Sequence, residues 1–228
     1  MFTGLIQAQG FIQELGRDRF KITIPPGYSH PLLDEIMMGD SIAVDGVCLT
    51  VENLLPDGFI ATASPETLNR TTLGSRGETS QYVNIEPSLK VGSKLGGHFV
   101  TGHVDGVGCV LKSVATDRAW EITFGSINAL AKVWEENIAP YIIPKGSIAI
   151  NGISLTVAEC DPNGSWFQCA VIPVTYQETN LSSLQEGNWV NLESDILGKY
   201  VNKLLHHRSS NNSEADISLS FLTEHGYV

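Results

Sequence analysis

The chain repeats itself, and no other feature narrows its folding options as much. Residues 40–51 read DSIAVDGVCLTV and residues 146–157 read GSIAINGISLTV. At an offset of 106, Ser41, Ile42, Ala43, Gly46, Leu49, Thr50 and Val51 recur as Ser147, Ile148, Ala149, Gly152, Leu155, Thr156 and Val157. The mismatches Val44/Ile150, Asp45/Asn151, Val47/Ile153 and Cys48/Ser154 nearly preserve shape. Three more blocks keep the same order. Thr3-Gly4…Gly10 matches Thr101-Gly102…Gly108, Glu66-Thr67 matches Glu178-Thr179, and Val83-Asn84-x-Glu86 matches Val190-Asn191-x-Glu193. Collinear blocks predict a duplicated fold, two copies of roughly 95 residues each. The expected units are 1–95 and 96–194, with the boundary near 88–97.

Each copy reads as β. The repeated segment is rich in β-branched residues and is broken by Asp45-Gly46 or Asn151-Gly152, dipeptides that suit a two-residue hairpin turn. Gly and Pro recur at short intervals (Pro25-Pro26-Gly27, Asp57-Gly58, Asn163-Gly164, Glu186-Gly187), leaving short strands between turns. A small closed barrel is the economical way to bury such strands, because closure removes exposed edges. Ser126–Asn137 is a candidate helix, with Ile127, Leu130, Ala131 and Trp134 on one face. A second helix is expected over 195–205. There Ile196, Leu197, Tyr200, Val201, Leu204 and Leu205 form an apolar stripe, and Lys199 and Lys203 lie toward the C-terminal end. The stripe either packs on the barrels or joins copies of the chain. Residues 206–228 read as polar linker and tail.

Composition excludes several classes. Lys and Arg number 14 against 25 Asp and Glu, a net charge of −11, which repels phosphate backbones and anionic lipid. No apolar run approaches the ~20 residues of a membrane span, and MFTGLIQAQG lacks the basic flank and apolar core of a signal peptide. A cytoplasmic protein with neither nucleic acid nor membrane as partner is expected. Cys48, Cys109, Cys160 and Cys169 are far apart, which predicts reduced thiols and no zinc knuckle. Phosphate-loop, nucleophile-elbow and zinc-protease strings are absent.

Two features are left for chemistry. GGHFVTGHVDG (96–106) is dense in glycine, as where backbone approaches something flat. Within it His98 reads as a core histidine. His103 replaces the apolar Leu5 of the first copy and is either structural or functional. The two imidazoles alternate off an extended strand with no third ligand nearby, so no metal site is expected. The second feature is Cys48-Leu49-Thr50 with its counterpart Ser154-Leu155-Thr156. Alternate strand positions share a face, so each copy presents a thiol or hydroxyl beside a threonine, a matched pair of polar ledges.

These residues resemble the riboflavin synthase family. Met1-Phe2-Thr3-Gly4, GDSIAVDGVCLTV (39–51), Glu66-Thr67 with Thr71-Thr72-Leu73, Gly96-Gly97-His98-x-x-x-Gly102-His103-Val104-Asp105-Gly106, KGSIAINGISLTV (145–157), Ile172-Pro173-x-Thr175 and KYVNKLL (199–205) carry the likeness, which runs from residue 1 to about 205. The resemblance implies a mainly β chain of two tandem six-stranded Greek-key barrels and a homotrimer held by the C-terminal helix. It implies no cofactor and leaves association with lumazine synthase open. The implied reaction is a dismutation of two 6,7-dimethyl-8-ribityllumazine molecules by four-carbon transfer, one lumazine in each barrel, at a site between the N-barrel of one subunit and the C-barrel of the next. It implies an N-barrel site of Gly4, Leu5, Ile6, Cys48, Leu49, Thr50, Thr62, Ala63, Ser64, Pro65, Glu66 and Thr67. The C-barrel site would use Gly102, His103, Val104, Ser154, Leu155, Thr156, Val171, Ile172, Pro173, Val174, Thr175 and Tyr176, with Lys145 reaching across the subunit boundary. Proton handling and polarisation fall to His103, Cys48, Ser41 and Ser154, with Asp195 reaching the facing site. Phe2 is expected to order the amino-terminal strand. Val174 departs from the histidine that many members carry. A non-catalytic lumazine- or flavin-binding antenna protein is the alternative; such relatives keep one working pocket, whereas both ledges are intact here.

Overall fold

The two hairpin dipeptides form where the sequence puts them. Asp45 and Gly46 have φ of 46° and 76°, and Asn151 and Gly152 have 46° and 79°. Positive φ at both central residues is the type I′ geometry whose twist suits tightly joined strands. In this computed structural model, residues 1–16, 18–26, 32–75, 81–211 and 223 are described, with side chains described up to Leu205 in the last helix.

The first unit contains β1 (Ala8–Glu14), β2 (Arg19–Thr23), β3 (Ser41–Val44), β4 (Val47–Thr50), β5 (Asn53–Leu55), β6 (Gly58–Thr62), α1 (Pro65–Arg70) and β7 (Gln81–Pro87). The second contains β8 (Gly106–Ala115), β9 (Trp120–Gly125), α2 (Ala131–Asn137), β10 (Ser147–Ile150), β11 (Ile153–Cys160), β12 (Trp166–Val171), α3 (Pro173–Gln177) and β13 (Trp189–Ser194). The second set closes as a six-stranded barrel in the order β10-β11-β12-β9-β8-β13. The first is a sheet in the order β4-β3-β7-β1-β2-β6-β5. Its edges β4 and β5 are consecutive pieces of chain joined at Val51–Glu52, so its ring of neighbours is that of the second barrel with one strand bent. The same corner in β11 is a register shift between Val157 and Glu159. One barrel is therefore closed by hydrogen bonds and the other by a kinked strand.

Each unit buries its own core. Phe20, Ile22, Phe59 and Ile85 centre the first, and Phe124, Phe167, Trp134 and Leu192 the second. Trp134 lies on the expected helical face; Asn128–Leu130 form a 3-10 turn and α2 begins at Ala131. Cys169 is one of these core residues, and burial pushes its thiol up to about 12.

The units meet along a pseudo-twofold seam made of the repeated residues. The Asp45 N–H donates to the Asn84 carbonyl and the Asn84 N–H to Asp45 Oδ1; Asn151 and Asn191 repeat both bonds. Across the seam, Asn84 Nδ2 reaches the Asn151 carbonyl at 3.0 Å and Asn191 Nδ2 the Asp45 carbonyl at 2.9 Å. Asn180 N–H donates to Asn84 Oδ1 and Thr72 N–H to Asn191 Oδ1, each at 2.8 Å. All of these side chains are buried, so each bond satisfies a group whose desolvation would otherwise be costly.

The seam corrects one internal match. Thr71 Oγ1 bonds the Thr67 carbonyl as Thr179 Oγ1 bonds that of Thr175. The equivalents of Glu66 and Thr67 are thus Val174 and Thr175, not Glu178 and Thr179; helical register overrides a two-residue identity.

Met1–Ile196 form one compact unit, and a second begins at Leu197. The terminal helix, α4, spans Ile196–Asn211, six residues past the expected end at 205, because HHRSSN holds neither Gly nor Pro to stop it. Its stripe residues Leu197, Tyr200, Val201, Leu204 and Leu205 are exposed in the single chain. The rest of the expected tail lies outside the described residues, apart from Thr223. Among the described residues no helix is long and apolar enough to cross a membrane.

Candidate active site

Both candidate sites begin with a buried carboxylate. Glu86 Oε1 accepts the Thr3 N–H and Thr3 Oγ1–H, each at 2.7 Å, while Oε2 accepts the Gly4 N–H at 3.0 Å. Glu193 holds Thr101 and Gly102 with the same three bonds at the same lengths. The Thr3 and Thr101 hydroxyls then accept the N–H groups of Leu5 and His103, each at 3.2 Å. These bonds fold each Thr-Gly segment into a tight tip with glycine at φ of +76° or +80°.

The tips cross the seam. The Cys48 N–H donates to the Gly102 carbonyl at 2.9 Å, and the Ser154 N–H to the Gly4 carbonyl at 2.8 Å. A Cβ on Gly102 would lie 2.6 Å from Cys48 Cβ, and one on Gly4 2.6 Å from Ser154 Cβ. The glycines of 96–106 were expected to approach a flat ligand. Gly97 and Gly102 instead approach protein, since a Cβ on Gly97 would meet the Thr3 carbonyl and Ser154. Buried Phe2 pairs with Val100 on the same axis.

This crossing regroups the expected site residues. Gly102, His103 and Val104 were grouped with Ser154; they join Cys48, Glu66 and Thr67 in lining a cavity of about 360 Å³, together with Arg70, Thr71, Asp105 and Asn137. Gly4, Leu5 and Ile6 were grouped with Cys48, but the tip they belong to docks on Ser154. The resemblance grouped each tip with the ledge of its own barrel; the backbone bonds set each tip against the ledge of the other.

In the first cradle, Ser64 caps α1 by accepting the Thr67 N–H at 3.1 Å, with Pro65 opening the helix and Ala63 buried before it. Glu66 and Arg70, one turn apart, form an ion pair on the cavity wall. The ledge geometry holds, since Cys48 is half-buried and Thr50 exposed, while Leu49 between them enters the core. Ser41 pairs with Thr50 in the β3–β4 register, and the Thr62 hydroxyl donates to Glu52. None of these three is among the walls of the cavity. His103 is exposed at its mouth.

The second cradle differs in its chemistry. Ser154 is half-buried and Thr156 exposed on either side of core residue Leu155. Ser154 Oγ lies 2.7 Å from Nδ1 of His98, whose ring is buried with no partner at Nε2 among the described residues. Burial holds the His98 imidazole below its ordinary value, with Asp195 pulling weakly the other way, so the ring is neutral at pH 7. The helix α3 starts at Pro173 without a side-chain cap, Ile172 standing where the first copy has Ser64. Exposed Val174 stands where the first has Glu66, Tyr176 stacks on Trp120 at 4.0 Å, and Val171 is core. Lys145 takes φ of 67° where the first copy has Gly39, its N–H bonded to Val157. A non-glycine residue in that region is uncommon.

Sequence reasoning missed Glu86, Glu193 and Arg70. The first two were visible in the Val-Asn-x-Glu repeat, read only as a sign of duplication. Arg70 carried no such signal.

Two stretches, residues 3–88 and 101–195, match the lumazine binding domain family. A riboflavin synthase of Actinobacillus pleuropneumoniae is 37% identical over 227 residues, covering 100% of both chains. One from Mycobacterium bovis is 40% identical over 210 residues, 90% of this chain and 98% of the relative. One from Bacillus subtilis is 32% identical over 227 residues, again end to end. Among solved structures, LumP complexed with riboflavin superimposes with a TM-score of 0.70 at 25% identity, covering 85% of this chain and 99% of that one.

Proposed function

The chain belongs to the riboflavin synthase family, with two lumazine-binding domains in one polypeptide, and we propose on that footing that it is a transferase joining two molecules of 6,7-dimethyl-8-ribityllumazine. One gives a four-carbon unit to the other, yielding riboflavin and 5-amino-6-ribitylamino-uracil. The observation that carries this is the end-to-end match of both halves to riboflavin synthases.

The residues fit the demands of such a reaction. Two identical substrates call for two similar cradles, which the duplication supplies. The 7-methyl proton of a lumazine is acidic because its anion delocalises into the ring, so a modest base such as a neutral imidazole suffices. Holding the rings face to face turns a bimolecular encounter into an internal one, worth up to about 7–11 kcal/mol. In this reading the Gly102–Val104 backbone and Thr67 hold one heterocycle, with Cys48 and His103 beside its reacting edge. Ser154, polarised by His98, faces the other, and Ser41, Lys145 and Asp195 stand as further polar groups. The cradles that meet come from different subunits, and the exposed apolar stripe of α4 supports a homotrimer that brings them together.

The test is turnover. Purified chain given 6,7-dimethyl-8-ribityllumazine alone should generate riboflavin fluorescence with no nucleotide or metal added. Stoichiometric binding without turnover would instead favour a flavin-binding role, the reading that the LumP likeness supports.

A further inference from the structure

Glu86 and Glu193 sit in the cores of their own barrels, 4% and 3% exposed, yet what they hold lies elsewhere. Glu193 is on β13 of the second barrel and grips Thr101 and Gly102, whose tip docks on Cys48 of the first. Glu86 is on β7 of the first barrel and grips Thr3 and Gly4, whose tip docks on Ser154 of the second. We propose that Glu86 and Glu193 are positioning residues that act crosswise, each ordering the candidate site of the barrel to which it does not belong.

The chemistry of the grip requires a carboxylate. Two oxygens must accept three donors in a fixed fork, and ionised acceptors make such bonds short and strong. The grip also sets a direction further along the chain. The Thr101 hydroxyl donates to Glu193 and so turns a lone pair toward the His103 N–H. His103 and the wall of the 360 Å³ cavity are therefore fixed from the second barrel. The repeat predicts the converse for Leu5 beside Ser154. Burial raises the Glu86 pKa despite these bonds, so the carboxylate is kept at a desolvation cost that packing alone would not demand.

The test reads Cys48, which the Gly102 tip covers. In the full-length chain, the rate of alkylation by iodoacetamide at each cysteine is followed by peptide mass spectrometry for the wild type, Glu193→Gln and Glu86→Gln. Glutamine keeps the shape but offers one acceptor and places an amide N–H₂ against the Gly102 or Gly4 N–H. Glu193→Gln should speed Cys48 labelling by roughly tenfold, the loss of about one buried hydrogen bond, while Cys109 and Cys160 keep their rates. Glu86→Gln should leave Cys48 within about twofold of wild type. Equal acceleration of Cys48 by both substitutions, a larger effect from Glu86→Gln, or a joint rise at all three cysteines would overturn the proposal. Should Glu193→Gln not fold, Thr101→Val removes the hydroxyl link alone and should raise Cys48 labelling in the same direction; an unchanged rate would also overturn it. Only the kinetic consequence rests on the proposed function. Glu193→Gln, rescued in part by Glu193→Asp, should lower kcat more than it raises KM, and because labelling needs no substrate, a failure of turnover leaves the crosswise test intact.

Discussion

Gly46→Ala tests whether the seam is rigid. Gly46 has φ of +76°, and a Cβ there would lie 2.7 Å from the Gly152 nitrogen and 3.0 Å from its Cα. The left-handed conformation alone costs a side chain about 1–2 kcal/mol. The clash adds to that, because what it meets is backbone pinned in the facing hairpin. To restore ordinary contact the barrels must part by roughly 0.5–0.8 Å, since non-bonded heavy atoms rest near 3.5 Å. That movement stretches the Asn191–Asp45 and Asn84–Asn151 bonds, now 2.9 and 3.0 Å. Their loss costs about 0.5–1.5 kcal/mol each, and more where a buried group is orphaned. The sum is about 2–5 kcal/mol. Gly187→Ala is the control, because Gly187 has φ of +85° with nothing within 4 Å of its added Cβ, so it incurs strain alone. Urea unfolding with linear extrapolation should separate the two variants by about 1–3 kcal/mol. Equal midpoints would show that the hairpins slide apart freely and that the buried amides do not fix the seam.

The buried His98 ring makes stability pH-dependent. Its folded value lies below 6.5, so the unfolded chain takes the proton first, and stability present above that value is lost as pH falls toward the folded one. Urea midpoints at about pH 7.5 and about pH 5.5 should fall further for wild type than for His98→Gln, and equal falls would assign the loss to other groups. Cys48→Ala and His103→Ala should each reduce kcat by about 10²-fold while changing KM less; an untouched rate removes that residue from the mechanism. Ending the chain after Ile196 deletes the exposed stripe of α4 and should convert the proposed homotrimer to monomers in sedimentation velocity, whereas an unchanged profile would refute the role given to the stripe.

Where local chemistry decides structure, the sequence was sufficient. Asp45-Gly46 and Asn151-Gly152 permit few other turns, and both adopt type I′ geometry. The apolar spacing that marked Trp134 placed it in the core. Non-local choices were not legible. The identity of Glu66-Thr67 with Glu178-Thr179 is stronger letter by letter than the true pairing with Val174-Thr175, and only the threonine hydroxyl bonds to Thr67 and Thr175 reveal the register. Glycine density in 96–106 correctly signalled close approach, but the pattern could not say whether ligand or another strand was approached. Nor does any periodicity tell which barrel a tip will lean on.

The repeat itself divides scaffold from chemistry. Besides core and strand positions, the residues that stayed identical between the copies include those that bind one copy to the other or hold a tip. Gly46 and Gly152 touch across the axis, Asn84 and Asn191 bridge it, and Glu86 and Glu193 grip Thr3 and Thr101. A pseudo-twofold seam constrains both partners together, because a change on one side leaves a buried group on the other without its match. Residues that diverged cluster at the cradles: Cys48 against Ser154, His103 against Leu5, Glu66 against Val174, Arg70 against Glu178. Two copies binding the same molecule for the same purpose would have no reason to differ there. A reaction in which one bound heterocycle loses a fragment and its twin gains it requires unlike walls around like substrates, and the unlike residues are where that requirement falls.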